Sequence, residues 1–221
     1  MRKAGTRQKK TSTGAGGARV SSGTGSKQDY RTPADFMAAV VDRFGPISFD
    51  LAAHAENKQS PNYFAPCTGT EGPLPLDKAA FGTDAFDHPW GYLSTSRFRR
   101  DGFPGLLWLN CEFNDIPRWA KRCRDESCAG ANILLLTPAS VGANWFSDLI
   151  APWADTYILK PRLEFIPGQV FPKDCMLSHF VRPDFRHTGP YSVKGTPDTG
   201  RILEIWNWKK SQTVHQWHRD T

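Results

Sequence analysis

The stretch LLWLNCEFNDIP, residues 106–117, decides how the chain reads. Apolar residues run up to Asn110, and the polarity then changes at once through Cys111, Glu112, Phe113, Asn114 and Asp115. An apolar run without alternation fits a strand covered on both faces, and the polar break marks its exit. Asn114 or Asp115 can cap a following helix, IPRWAKRCRDES, whose Ile116, Trp119 and Cys123 recur on one face. A strand that ends on Asn, with an aromatic three residues later, is either an ordinary exit or a grip for a planar, amine-bearing group.

Outward from this corner, NILLLTP (132–138) is a second continuous apolar run. A helix around NWFSDLIAPWA follows, then strands TYILK and RLEF, and RILEIWNW closes as a last strand. Upstream, YRTPADFMAAVVDRFGPISFDLAA (30–53) carries Phe36, Ala39, Val40 and Phe44 at helical spacing. Thr32 suits the N-cap with Pro33 in the first turn, and Gly45–Pro46 ends the helix. ISFDLAA reads as a short strand ending on Asp50. Strands alternating with helices predict an α/β fold, a mostly parallel sheet with helices on both faces. The folded domain spans 29–210, with 91–105 and 166–200 as loop insertions and 211–221 as a tail. A loop as long as 166–200 is uncommon unless it has a function.

Composition narrows the class. The chain has 221 residues, 39% hydrophobic and 12% aromatic, enough for one α/β domain with a proper core. Seven of its 28 Lys and Arg lie in residues 1–28, which hold no acid, so the rest carries 21 bases against 22 acids. The basicity belongs to a Gly/Ser/Thr/Lys-rich arm that cannot bury enough apolar surface to fold, yet can add salt-sensitive phosphate contacts. The five cysteines show neither C-x-x-C spacing nor paired His, which argues against zinc and against a disulfide framework. No apolar run approaches the roughly 18 residues of a membrane span, and no apolar core follows the basic N-terminus. A soluble intracellular protein is expected. Neither G-x-G-x-x-G nor G-x-x-x-x-G-K-[ST] occurs, so dinucleotide and nucleoside triphosphate loops have no support.

Ligands in open α/β sheets bind beyond the carboxyl ends of the strands. Three candidate strand ends are polar here: Asp50, the Asp84 region and Asn110. The ordered set YRTP, FDLAA…EN, GTDAF…W, LWLNCEF, LLLTPAS…WF and RLEF resembles the phage-type DNA N6-adenine methyltransferase family over residues 29–165. No single piece is specific; the shared order is what carries the likeness. The resemblance implies a Rossmann-like, S-adenosylmethionine-dependent fold in the cytoplasm of a bacterial or phage-infected cell, acting on double-stranded DNA with no membrane. It implies that Tyr30, Thr32 and Pro33 edge the cofactor pocket, that Asp50 and Ala52 line the methionine end, and that Asp84 and Ala85 lie beside the cofactor's adenine. Each has an ordinary alternative: Thr32 a helix cap, Asp50 a strand end, Asp84 a turn former.

The family's catalytic strand ends in Asn or Asp, then Pro-Pro, then Tyr or Phe; here it reads Asn110-Cys111-Glu112-Phe113. An exocyclic amine is a poor nucleophile because its lone pair is delocalised into the ring. Two acceptors on its hydrogens favour a pyramidal, more nucleophilic nitrogen. Asn110 supplies a side-chain oxygen, and residue 111 a main-chain carbonyl whatever its side chain. Phe113 supplies a face for a base taken out of the duplex. The stiffness of the prolines is lost, so packing must hold the corner. Glu112 adds a negative charge that either favours a cationic sulfonium or points to solvent. Arg97, Arg99 and Arg100 in one loop, and Lys173, Arg182, Arg186 and His187 in the other, are candidates to meet DNA phosphates. N4-cytosine methylation uses the same amine logic, and a non-catalytic DNA-binding protein on the same scaffold is the third reading.

Overall fold

The computed structural model describes residues 31–66, 68–69, 72–73, 78–95, 105–181 and 201–210. In chain order these form α1 (Ala34–Phe44), β1 (Ile47–Asp50), a small hairpin of β2 (Thr68–Gly69) and β3 (Gly72–Pro73), and a 3₁₀ turn at Ala85–Asp87. There follow α2 (Trp90–Thr95), β4 (Leu106–Leu109), α3 (Ile116–Cys128), β5 (Asn132–Pro138), α4 (Asn144–Leu149), β6 (Ala154–Lys160), β7 (Cys175–Phe180) and β8 (Leu203–Asn207). Six strands build one sheet in the order β1-β4-β5-β7-β6-β8.

The apolar runs of β4 and β5 are split by the pleat between two separate cores. Leu106, Trp108, Leu134 and Leu136 face Phe36, Met37, Ala39 and Val40 of α1, together with Trp206 and Trp208. Leu107, Leu109, Ile133 and Leu135 face the opposite layer, where Ala120 and Cys123 of α3 and Phe146 of α4 pack. Helices therefore cover both faces, as the uninterrupted apolar runs require. Helix α1 ends where Gly45 takes a positive φ of 97° and its amide donates to the Val41 carbonyl at 2.9 Å. Its last turn is tied to the far edge of the sheet. Arg43 pairs with Glu204 of β8, and its guanidinium lies over the rings of Tyr157 at 4.4 Å and Trp206 at 5.0 Å.

The sheet is mixed, which corrects the expectation of a mostly parallel one. β1/β4, β4/β5 and β6/β8 pair in parallel, whereas β7 pairs antiparallel with both β5 and β6. β7 lies within 166–200, which reads as loop because Pro, Gly and charged residues surround its six residues, CMLSHF. Insertion between two apolar strands buries five of those six. The expected strand RLEF is not one: Arg162–Phe165 belongs to the connection after β6. The expected loop 91–105 begins in helix, since α2 continues to Thr95. Among the described residues no helix is long and apolar enough to cross a membrane, and Cys111, Cys123, Cys128 and Cys175 are free thiols.

One buried carboxylate locks α2 to α3. Glu126 accepts hydrogen bonds from the amides of Trp90 at 2.8 Å and Gly91 at 3.1 Å, and pairs with Arg122 at 2.8 Å. The orphan donors at the start of α2 are thereby satisfied by an anion, which the helix dipole also favours. Glu126→Ala would remove the acceptor of these two buried amides and the ion-pair partner of Arg122. It is expected to cost about 3 kcal/mol in urea unfolding; a loss within experimental error would show that α2 docks without this carboxylate.

Candidate active site

The carboxyl ends of β1, β4, β5, β6 and β8 open on one edge of the sheet, and β7 enters the sheet there. Asn110 follows β4, the second strand of the sheet, and is half-buried, outside both cores. Its amide nitrogen donates to the Thr32 hydroxyl at 3.2 Å. Thr32 was expected to cap α1, but the N-cap position is occupied by Pro33, whose carbonyl accepts from Met37 at 3.0 Å. The hydroxyl is thus used across the sheet edge, 78 positions away in sequence, to hold an amide.

Asp50 ends β1 beside Trp108 of β4 and is 2% exposed. Its carboxylate accepts from the amides of Gln59 at 2.9 Å and Ala52 at 3.2 Å, closing the loop that follows the strand. Ala52 is half-buried. The carboxylate of Asp50 therefore has a structural task. Nothing in the sequence marked Gln59, because it contributes its main-chain amide.

The corner is held by packing. Cys111 is buried in the core that includes Leu109, Ala120 and Cys123, and burial pushes its thiol well above the ordinary range. Its side chain is a plug rather than a nucleophile. Glu112 is exposed, and its carbonyl accepts from Asp115 at 3.3 Å. Asp115 occupies the N-cap of α3, as expected, with Pro at the first helical turn but without a side-chain capping bond. Phe113 is half-buried and meets the Phe171 ring at 6.1 Å between centroids, which in turn meets Phe165 at 5.2 Å. Phe171 was not marked by the sequence, since it stands in an aperiodic segment.

Asp84 does not end a strand. It caps the 3₁₀ turn by accepting from Phe86 at 2.8 Å, and it is exposed. Ala85 is buried in the same core as Leu51 and Cys111, and its carbonyl accepts from the Trp90 indole at 2.8 Å. Phe86 packs on Trp119 at 4.5 Å, which fastens this turn to the first turns of α3, just beyond the corner. Thr32 and Asn110 are thus joined at the carboxyl edge of the sheet, Asp50 ends the neighbouring strand there, and Cys111 and Ala85 share the core beneath. Tyr30, Arg97, Arg99, Arg100, Arg182 and Arg186 lie outside the described residues. No cluster of His, Cys, Asp and Glu suited to a metal occurs among the described residues.

No family model, curated protein or solved structure matches the chain.

Burial outweighs the two amide bonds and pushes the Asp50 carboxyl up to about 6. Between about pH 4 and pH 6 the folded chain keeps a proton that the unfolded chain has released, so stability falls as pH rises through this window. Measured against Asp50→Asn, the wild type is expected to lose on the order of 2–3 kcal/mol from about pH 4 to above pH 7. A difference that stays constant with pH would mean that the carboxyl ionises as it does in water.

Proposed function

We propose that the chain is an S-adenosylmethionine-dependent DNA adenine N6-methyltransferase with a Rossmann-like domain. The observation that carries this reading is the Asn110 amide, half-buried at the carboxyl end of β4 and anchored to Thr32. The α/β layering, with helices on both faces of the sheet, supports the same fold class. Residues at the edge suit the cofactor. Asp84 uses one carboxylate oxygen on Phe86, and the other makes no hydrogen bond among the described residues, so it can take one from a nucleoside. Ala52 keeps the backbone after β1 approachable.

The cofactor supplies an already activated methyl group, so the protein's work is binding and alignment. An amide hydrogen of Asn110 donated to Thr32 restrains the amide plane. The Asn110 side-chain oxygen and the Cys111 carbonyl take the two amine hydrogens of an extruded adenine, while Phe113, braced by Phe171, offers a ring to the base. The proton released from the amine passes to solvent. The plug of Cys111 replaces the constraint that two prolines would impose.

Labelled S-adenosylmethionine incubated with mixed-sequence duplex DNA is expected to yield N6-methyl-2′-deoxyadenosine among the digested nucleosides. N4-methylcytosine instead would assign the sister reaction, and DNA binding without label would assign a non-catalytic binder, the reading that the missing prolines favour. Asn110→Ala is expected to lower transfer at least about 100-fold while cofactor affinity stays within a few-fold; undiminished transfer removes Asn110 from the chemistry. Thr32→Val is expected to lower kcat about 10-fold with little change in KM, and Thr32→Ser to retain activity. Equal losses in Val and Ser variants would separate Thr32 from the alignment of the amide.

A further inference from the structure

A second feature of the same sheet edge is not used by the amine chemistry. Pro138 and Ser140, just past β5, face Arg162, Pro172, Lys173 and Asp174 across a cleft of about 250 Å³. The far wall is the connection between β6 and β7, and it is pinned to the near wall where the Ala139 amide donates to the Asp174 carbonyl at 2.8 Å.

The donors in this cleft are arranged but not used up. Arg162 gives its Nε to Asp174 at 2.7 Å and its Nη1 to the Pro172 carbonyl at 3.2 Å, which fixes the guanidinium plane. Its Nη2 makes no hydrogen bond among the described residues. The Lys173 ammonium and the Ser140 hydroxyl have no partner among the described residues either. Two cations against one carboxylate leave one net positive charge. A guanidinium held in place with its Nη2 unengaged, an ammonium and a hydroxyl suit the oxygens of a single phosphate group.

The connection that lines the cleft also reaches the catalytic corner. Phe171 touches Phe113 at 6.1 Å, and Lys173 stands two residues on, no more than about 7 Å along the backbone. A base resting on Phe113 and a phosphate at Lys173 would therefore be held by one short segment. We infer that this cleft is a phosphodiester subsite that grips the nucleic-acid strand beside the extruded base. The location rests on the transferase reading, whereas phosphate binding itself does not.

The full-length chain tests this by fluorescence anisotropy with a labelled duplex of mixed sequence, titrated at several salt concentrations. Arg162→Gln/Lys173→Gln is expected to weaken binding about 5- to 10-fold at low salt and to flatten the slope of log K against log salt by about 0.9, one phosphate contact. Lys121→Gln, on the exposed side of α3, controls for net charge and is expected to leave the slope unchanged. An unaltered slope in the double variant, an equal loss in Lys121→Gln, or a wild type that binds free AMP but not duplex would each overturn the subsite. Methyl incorporation on the same samples keeps the two readings apart. A wild type that binds with the full slope and transfers no methyl loses the transferase reading and keeps the subsite. One that transfers methyl while the double variant binds duplex normally loses the subsite.

Discussion

The two-sided burial of β4 and β5 is the constraint on which the rest of the molecule depends. Each strand sends alternate side chains into a different core, so neither can carry a polar residue along its length without placing it in hydrocarbon. Within β4 and β5 the polar residues stand only at or beside the ends, Asn132 at the start of β5 and Thr137 one residue before its end. Asn110 stands at the first position where the chain is free of both layers, and the abruptness of LLWLN is the sequence trace of that limit.

The same constraint explains why the edge is so thoroughly cross-tied. Main-chain groups leaving a buried sheet must find partners at once. Asp50 takes two amides of the loop after β1, Asp84 takes one at the 3₁₀ turn, and Thr32 takes an amide hydrogen of Asn110. Ser60 and Asn62 both return to the Ser48 carbonyl. A corner without prolines is consequently not a loose corner. Cys111 is sunk in the core, the carbonyl of residue 112 closes a turn with Asp115, and aromatic contacts brace Phe113.

Much of this was legible in the sequence where one physical rule dominated. The apolar runs of β4 and β5, the helical spacing of Phe36, Ala39 and Val40, and the Gly45 stop each follow from local pattern. β7 was not legible because its burial comes from neighbours on both sides, not from its own alternation, and Ser178 and His179 interrupt its apolar residues. RLEF failed for the opposite reason: its Leu163 and Phe165 are buried, but Phe165 packs against Phe171 of the same connection. At the site, Asn110, Asp50 and Ala85 were readable as residues, whereas their partners were not. The hydroxyl of Thr32, the amide of Gln59 and the ring of Phe171 come to the edge through tertiary contacts between distant segments.

Helix α1 gives the arrangement a mechanical character. Thr32 stands just before its first turn and Arg43 in its last, so an eleven-residue rod of roughly 16 Å separates the amide anchor from the ring stack over Tyr157 and Trp206. A hydrogen-bonded helix of this length is stiff, so its two ends do not reorient independently. The aim of one amide at the end of the second strand is therefore geared to the seating of an arginine on the outermost strand at the opposite side of the sheet.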